Sequence, residues 1–372
     1  MAKKSDVSKV MICGGGKIGQ MVALLLSDCG DYAVTVVDKD KKQFSKFKKM
    51  KNVATEIVDL SNQKAIEKVA KKHDFLISTA PFFLTEIIAG AARNAGTHYV
   101  DLTEDVAASE TVKKLTKGAK SAFIPQSGLA PGFISIAAYH IAQKFDELDE
   151  VKMRVGALAK YPNNAIKYNL TWSTAGLINE YCEPCNAVVD GKLTKLEPLE
   201  GYEHFTLDGM NYECFNTSGG LGTLADTLQG KVRDLNYKSV RYPGHLQVMR
   251  FLINDLNMKD KQDMLVKILD DAIPATKQDV VLVYVGVSGK KKGQYMQETY
   301  AVKVYAGEIA GQECSAIQIT TAGSACAVID LVREGKLPQK GFIKQEDINF
   351  EDFIQNRFGR VYAPGEITAK SV

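Results

Sequence analysis

Short apolar runs alternate with longer helical stretches through the first third of the chain. Val10-Met11-Ile12-Cys13 precedes the apolar helical stretch Met21 to Leu26, and Ala33 to Val37 is the next strand-like run, closed by Asp38. A lysine-rich helical segment follows, then Val53 to Val58, then a helix that Ser61 is placed to cap. Phe75 to Thr79 reads as a short buried strand ended by Pro81, Leu84 to Ala95 as a helix, and Tyr99-Val100-Asp101 as a strand. Asp105 to Thr116 is helical, and Ala122-Phe123-Ile124 is the last strand of the series. Strands and helices in this rhythm, joined by short connections, predict a doubly wound parallel sheet over residues 1–132. Ligands of such sheets lie beyond the carboxyl ends of the strands, here residues 14–19, 38, 79–82, 101–104 and 125–132.

The pattern changes after Gly132. A helix from Phe133 to Lys144 bridges to a strand-rich region, where Val151 to Leu158 and Asn169 to Trp172 alternate with the period of a strand. Asn186 to Leu196 folds about Asp190-Gly191, a type I′ hairpin signal. Val280 to Val287 and Tyr295 to Tyr305 flank a lysine-rich tip, Ser288 to Gly293, and two helices, His245 to Leu256 and Lys261 to Ile273, lie between. Residues 133–314 are therefore expected to form an inserted α+β substrate and dimerisation domain with a mainly antiparallel sheet. Thr321 to Val332 reads as a helix, and residues 315–372 are expected to pack back on the first domain.

Composition narrows the class without changing the fold. The 372 residues are 45% hydrophobic and 24% charged, with a net charge of +3, which fits a globular chain of two domains. The one lysine cluster, Lys46, Lys48, Lys49 and Lys51, reads as the wet face of a helix rather than a nucleic-acid footprint. No stretch reaches the length of a membrane span, and Met1 to Ser5 leads into the first strand without a hydrophobic segment, so a cytoplasmic location is expected. Seven scattered cysteines fit reduced thiols. Cys182-Glu183-Pro184-Cys185 lacks the second pair that a zinc site needs, and no metal is expected.

The most specific chemistry lies at Gly14-Gly15-Gly16-Lys17-Ile18-Gly19. Strand, glycines, helix, second strand and acid stand in the register of a Rossmann dinucleotide site. Gly14 permits the tight turn, Gly16 and the backbone of Lys17 and Ile18 approach a pyrophosphate at the helix N-terminus, and Gly19 allows close packing of helix on strand. Asp38 is placed to accept from the adenosine ribose hydroxyls. A 2′-phosphate beside that carboxylate would cost about 1 kcal/mol in water-like surroundings and about 4 at an effective dielectric near 20, which favours NAD. Lys39, Lys41 and Lys42 soften this penalty and leave NADP open. Thr79, Ala80, Pro81, Gly128 and Leu129, at the ends of later strands, are further cofactor candidates.

Candidates for the reaction itself are fewer. Arg241-Tyr242-Pro243-Gly244-His245 lies where a strand breaks into a helix, a place that brings polar side chains to a cleft. His245 is the first choice for proton transfer, and Arg241 is suited to grip a carboxylate through parallel hydrogen bonds. Asp101 and Glu104 end the fifth strand, Asp101 as a catalytic or orienting carboxylate and Glu104 near the substrate. Phe82, Tyr168 and Trp172 are candidate pocket walls. The glycine-rich turn from Ser218 to Thr223, with Thr217 before it, is a candidate carboxylate cradle.

These motifs resemble the saccharopine dehydrogenase-like family, and within it the bacterial and archaeal L-lysine 6-dehydrogenase type. The resemblance is carried by Gly14 to Gly19, Ser78 to Phe82, Tyr99 to Leu102, Gly128-Leu129-Ala130-Pro131-Gly132, Tyr168 to Tyr181, Thr217 to Leu224, and Arg241 to His245. It implies a two-domain, homodimeric enzyme that oxidises a C–N bond in lysine metabolism. In the lysine version the ε-amine is converted to allysine; in the saccharopine version the products are glutamate and the semialdehyde. The fungal glutamate-forming reductases carry an acid where Ala130 stands, a tyrosine where Phe82 stands and a cysteine near Val155, so these departures favour lysine. A nucleotide-binding regulator without catalysis is the competing reading from another class.

Overall fold

Two units make up the chain in the computed structural model, which describes residues 7–363: one runs to Phe133 and includes Gln318–Ala363, and the other is Ile134–Ile317. Met1 to Ser5, and residues 364–372 of the C-terminal segment, lie outside the described residues. The first unit begins with β1 (Ser8–Cys13), α1 (Lys17–Asp28), β2 (Tyr32–Asp38), β3 (Val53–Ile57), α2 (Gln63–Ala70), β4 (Phe75–Ser78), α3 (Thr85–Ala95), β5 (His98–Asp101), α4 (Val106–Leu115) and β6 (Ala122–Ile124). These strands pair in parallel in the order β6-β5-β4-β1-β2-β3. The order reverses at β1, so the crevice beyond its carboxyl end, beside β4, is the topological switch point where such folds bind ligands. Val10 to Cys13 and all of β4 are buried, as a sheet covered on both faces requires.

Two local expectations are corrected here. Asn62, not Ser61, caps α2: its side chain accepts from the Ala65 N–H, while the Ser61 hydroxyl turns to Asp59. The lysine-rich stretch after Asp38 makes only a 3-10 helix, Lys41–Phe47, with Asp40 accepting from the Lys42 N–H.

The second unit is built on a longer sheet. It contains α5 (Phe133–Ala142, whose first residue belongs to the first unit), β7 (Glu147–Ala159), α6 (Thr174–Cys182), β8 (Cys185–Val189), β9 (Lys192–Leu196), β10 (Glu203–Leu207) and β11 (Met210–Asn216). Then come α7 (Leu224–Leu228), β12 (Val232–Arg241), α8 (His245–Arg250), α9 (Gln262–Ala272), β13 (Asp279–Lys291), β14 (Gln294–Tyr305) and the small hairpin β15 (Gly307–Ile309) and β16 (Gln312–Cys314). The main order is β10-β11-β12-β7-β13-β14, with the β8–β9 hairpin branching from β12. The sheet is antiparallel except at β7–β12, which pair in parallel through Val232↔Leu148 to Ser239↔Val155. Asp190-Gly191, Asp208-Gly209 and Lys292-Gly293 all take positive φ, so each closes a two-residue hairpin of the primed type.

Three strand or helix expectations change. Asn169 to Trp172 is not a strand: it makes one bridge, Leu170↔Ala275, and its neighbours are held by amide side chains. Asn164 bonds both the carbonyl and the N–H of Tyr168, at 2.6 and 3.2 Å, and Asn169 donates to the Pro274 carbonyl. The lysine-rich tip is strand almost to its end, because Lys290 and Lys291 pair with Glu147 and Glu298 across it. The helix expected from His245 to Leu256 is α8 followed by a π turn, Phe251–Asp255.

The chain re-enters the first unit through α10 (Ala316–Arg333), followed by β17 (Gly341–Phe342) and α11 (Phe350–Gln355). β17 adds a seventh, parallel strand beside β6, too short to show any periodicity in sequence. Within this unit Asp330 accepts from the Tyr32 hydroxyl, the Asn356 side-chain amide and Nε and Nη2 of Arg357, so the returning segment is fastened to β2. The Phe133 ring stacks on Tyr362 at 3.7 Å between centroids. Among the described residues no helix is long and apolar enough to cross a membrane.

Candidate functional site

The glycine turn shows which glycines the protein itself requires. Gly14 has φ +110°, and its N–H donates to the Val37 carbonyl. A Cβ on Gly19 would fall 2.0 Å from the Gly14 carbonyl oxygen and 2.8 Å from Thr79 Oγ1. Thr79 closes the turn by donating towards the Cys13 and Gly14 carbonyls, so its hydroxyl supports the loop. Gly16 differs: it is exposed, and a Cβ there would meet nothing within 4 Å. It is the N-cap of α1 and supplies no side chain to the N–H groups of the first turn. An open cradle beneath uncapped helical N–H groups fits the pyrophosphate of a dinucleotide. Lys17 is exposed and Ile18 half-buried on that turn.

Asp38 is half-buried at the end of β2. One carboxylate oxygen accepts from the Gly15 N–H at 2.8 Å and the other from the Asp40 N–H at 2.9 Å. It therefore braces the glycine turn while keeping lone pairs for ribose hydroxyls. Ala80 is half-buried and Pro81 exposed beyond β4, leading into the short 3-10 turn Phe82–Leu84; Phe82 is half-buried.

The two carboxylates after β5 differ in situation. Asp101 is 1% exposed, and its Oδ1 accepts from the N–H groups of Thr103 and Gln126, which ties the ends of β5 and β6 together. Burial pushes its carboxyl up to about 6 against those two bonds. Glu104 is half-buried; burial, with smaller pushes from the like charges of Asp105 and Asp101, raises it to about 7 against a hydrogen bond from its own backbone N–H. The bend from Gly128 to Gly132 is rigid: the Phe133 N–H donates to the Gly128 carbonyl, and a Cβ on Gly132 would lie 2.0 Å from that oxygen. Leu129 is buried within it.

In the second unit, Arg241 ends β12 and His245 begins α8. Glu213 on β11 holds the break between them, accepting from the Gly244 N–H at 2.9 Å and the Leu246 N–H at 2.6 Å. His245 Nδ1 lies 2.8 Å from the Ile166 carbonyl, an acceptor, so Nδ1 carries the proton and Nε2 accepts from the Tyr181 hydroxyl at 3.0 Å. The same hydroxyl accepts from Arg241 Nε at 2.8 Å. Burial, and then the guanidinium, push His245 down to about 3 against the pull of the Ile166 carbonyl. The imidazole is thus neutral, 1% exposed and bonded at both nitrogens, the geometry of an organising group rather than a proton acceptor. Arg241 also donates from Nη1 to the Val240 carbonyl, and its guanidinium lies 5.4 Å from the Tyr168 ring centroid and 5.8 Å from that of Tyr181. Its Nη2 makes no hydrogen bond among the described residues.

Tyr181 and Glu213 were not legible as site residues. Tyr181 lies on α6 and Glu213 on β11, far in sequence from the Arg241–His245 break they organise. Other candidates are engaged by the protein. Thr217 Oγ1 is 2.9 Å from Ser239 Oγ, the Ser218 hydroxyl donates to the Pro184 carbonyl, and its N–H donates to the Glu180 carbonyl. Gly222 and Leu224 bond back to carbonyls of the turn, and Gly220 lies against the Tyr237 ring, where a Cβ would approach to 2.4 Å. In the turn expected to cradle a carboxylate, the Ser218 and Gly222 N–H groups and the Thr217 and Ser218 hydroxyls are thus engaged by the protein itself. Thr223 is half-buried at the start of α7. Trp172 packs, half-buried, on the cluster containing Tyr168, Leu177 and Tyr181. Burial pushes the Cys182 and Cys185 thiols up to about 11 and about 12, which makes them poor nucleophiles and metal ligands.

Comparisons with known proteins agree with this layout. Residues 10–124 match the family model described as the saccharopine dehydrogenase NADP binding domain, and residues 128–360 match the saccharopine dehydrogenase C-terminal domain. Mitochondrial alpha-aminoadipic semialdehyde synthase of Bos taurus is 20% identical over 319 residues, covering 80% of this chain and 33% of that protein. Its Rattus norvegicus counterpart is 21% identical over 222 residues, covering 55% of this chain and 24% of the relative. The matches thus span only about a quarter to a third of the length of these relatives. The structure of saccharopine dehydrogenase (L-Glu forming) from Saccharomyces cerevisiae superposes with a TM-score of 0.77 at 16% identity, over 93% of this chain and 95% of that one, and shows the same fold. With an NAD(P)-binding first unit and a matching second unit, the chain belongs to the saccharopine dehydrogenase family.

Proposed function

We propose that this protein is a nicotinamide-dinucleotide-dependent oxidoreductase of lysine metabolism that oxidises a C–N bond of an amino acid, with the lysine ε-amine as substrate and allysine as product. Family membership supports the reaction class, and Arg241 is the observation that carries an amino-acid substrate. Its guanidinium is buried, held between two tyrosine rings and fixed at Nε by Tyr181, with Nη2 left to donate to a carboxylate. The bound dinucleotide supplies the hydride acceptor. Gly14 to Gly19 hold its pyrophosphate, Asp38 its ribose, and the bend at Gly128 and Leu129 its nicotinamide side. Arg241 fixes the substrate carboxylate, and neutral His245 holds Tyr181, which aims Arg241.

Saccharopine is the second reading, favoured by the two saccharopine dehydrogenase family models that the chain matches. Ala130, Phe82 and Val155 lack the polar groups of the fungal glutamate-forming enzymes and support lysine instead. Hydride transfer measured with lysine alone, with saccharopine, and with lysine plus 2-oxoglutarate separates the two. Turnover of lysine alone is expected; turnover confined to saccharopine or to the mixture overturns that choice.

NAD is the proposed cofactor, on the position of Asp38. Asp38→Ser is expected to weaken both cofactors, since it removes the brace on Gly15, but to lower the NAD to NADP affinity ratio about tenfold or more. Titration of both nucleotides reads this directly, and an unchanged ratio sinks the assignment. A homodimer is proposed through the second unit, supported by the outer edge of β14, which pairs with no other strand among the described residues and where Tyr295 and Tyr305 are exposed. A monomer mass by light scattering would remove it.

A further inference from the structure

We infer that Glu104 is the catalytic group that takes the proton from the substrate amine, an assignment that rests on the amine-oxidation reading. The residue follows β5 at the carboxyl end of the parallel sheet, the side on which such folds bind the nicotinamide ring. Its neighbours are already employed. Asp101 Oδ1 receives the Thr103 and Gln126 N–H groups, Thr103 Oγ1 accepts from the Asp105 N–H, and Asp105 caps α4 by accepting from the Ala108 N–H at 2.7 Å. Glu104 is therefore held in a loop fixed on both sides, and its carboxylate has no hydrogen bond or ion pair with another described residue.

Burial raises the carboxyls of Asp101, Glu104 and Asp279. Asp279 spends both oxygens on the N–H groups of Ala316 and Ile317 at the start of α10, and Asp101 is closed off from solvent. Glu104 alone of the three is partly exposed, and the one hydrogen bond to its carboxylate comes from its own backbone N–H. The charged groups acting on it are Asp105 and Asp101, both acidic, which favour the protonated carboxyl and so make it a stronger base.

Oxidation of an amine requires its nitrogen lone pair. An ammonium N–H bond breaks, an O–H bond forms on a Glu104 carboxylate oxygen, and the electron pair stays on nitrogen. That pair then forms the C=N bond as hydride leaves the adjacent carbon for the oxidised dinucleotide, which is reduced by two electrons. Water adds to the resulting iminium; the nitrogen of the carbinolamine gains a proton and leaves as ammonia from a primary amine, the hydroxyl proton passes to solvent to give the carbonyl product, and Glu104 releases its proton to solvent before the next turnover. A base with a pKa near the working pH is the most effective for the first step. Since it must be ionised to act, kcat/KM should rise with pH through about 7.

The test compares wild type with Glu104→Gln and Glu104→Asp. Infrared titration without substrate or cofactor should show one carboxyl protonating near pH 7 in wild type that is missing in Glu104→Gln, while the Asp101 and Asp279 carboxyls, pushed up to about 6, remain in both. Nucleotide affinity and thermal midpoint should be unchanged in Glu104→Gln. Its turnover of whichever amine the wild type oxidises should fall about 100-fold, the low typical value for lost acid–base catalysis, and the acidic limb of kcat/KM should vanish. Glu104→Asp should restore the limb in part. Wild-type turnover and an intact limb in Glu104→Gln, or the same carboxyl titrations in wild type and Glu104→Gln, overturns the inference alone. Absence of amine oxidation by wild type overturns the amine-oxidation reading and this inference with it.

Discussion

Gly19→Ala should destabilise the first unit by about 3 kcal/mol, whereas Gly16→Ala, three residues earlier, should change stability by no more than about 1 kcal/mol. The contrast comes from what each new methyl group meets. At position 19 it falls 2.0 Å from the Gly14 carbonyl oxygen and 2.8 Å from Thr79 Oγ1. Neither can retreat easily: Gly14 is fixed at φ +110° with its N–H bonded to Val37, and Thr79 is fastened to Cys13 and Gly14. At position 16 φ is −70° and the space is open, so alanine fits the chain itself. The same methyl would occupy the cradle above the helical N–H groups and should weaken dinucleotide binding at least tenfold. Thermal unfolding and nucleotide titration of the two variants check both halves. A Gly16→Ala protein that binds nucleotide normally would show that the pyrophosphate does not lie over that turn, and a stable Gly19→Ala protein would show that helix and strand can part there.

Much of the first unit was legible because each strand carries its own signal: a buried apolar run, a turn residue, then a capped helix. Gly14 to Gly19 and Asp38 lie within one βαβ segment, so local spacing sufficed. β17 escaped, since two residues carry no period and its pairing with β6 depends on a long return through α10. In the second unit, alternation at Asn169 to Trp172 misled because Leu170 pairs with the backbone of Pro274 and Thr276 in a single bridge, while the Asn164 side chain takes both backbone groups of Tyr168 just before it. The chemical environment of His245 was hidden for a related reason. Its two bonds run to Ile166 and Tyr181, and its segment is held by Glu213, partners set by tertiary packing and invisible in Arg241-Tyr242-Pro243-Gly244-His245. A histidine at a strand-to-helix break promises a titrating group; only its burial beside a guanidinium shows that it stays neutral.

Arg241→Gln is expected to lower kcat/KM by about 1,000-fold, or ~4 kcal/mol, with dinucleotide affinity unchanged. The magnitude follows from pairing two opposite charges where the protein has already excluded water. In such a place the guanidinium–carboxylate interaction is far stronger than at a surface, and removing one partner leaves the other charge without compensation. Lysine keeps the charge and loses the fork. It cannot donate through Nε to Tyr181 while presenting a second arm to a carboxylate, and it stacks less well between the rings of Tyr168 and Tyr181. Arg241→Lys should therefore recover only part of the loss. Tyr181→Phe tests the aim rather than the charge: it removes the hydroxyl shared by Arg241 Nε and His245 Nε2 and should raise KM more than it lowers kcat, if Arg241 still binds but samples other orientations. Steady-state kinetics with lysine, alongside thermal midpoints to confirm folding, decides the matter. Wild-type kcat/KM in a folded Arg241→Gln protein would remove the guanidinium from substrate recognition, and equal recovery by lysine would reduce its role to charge alone.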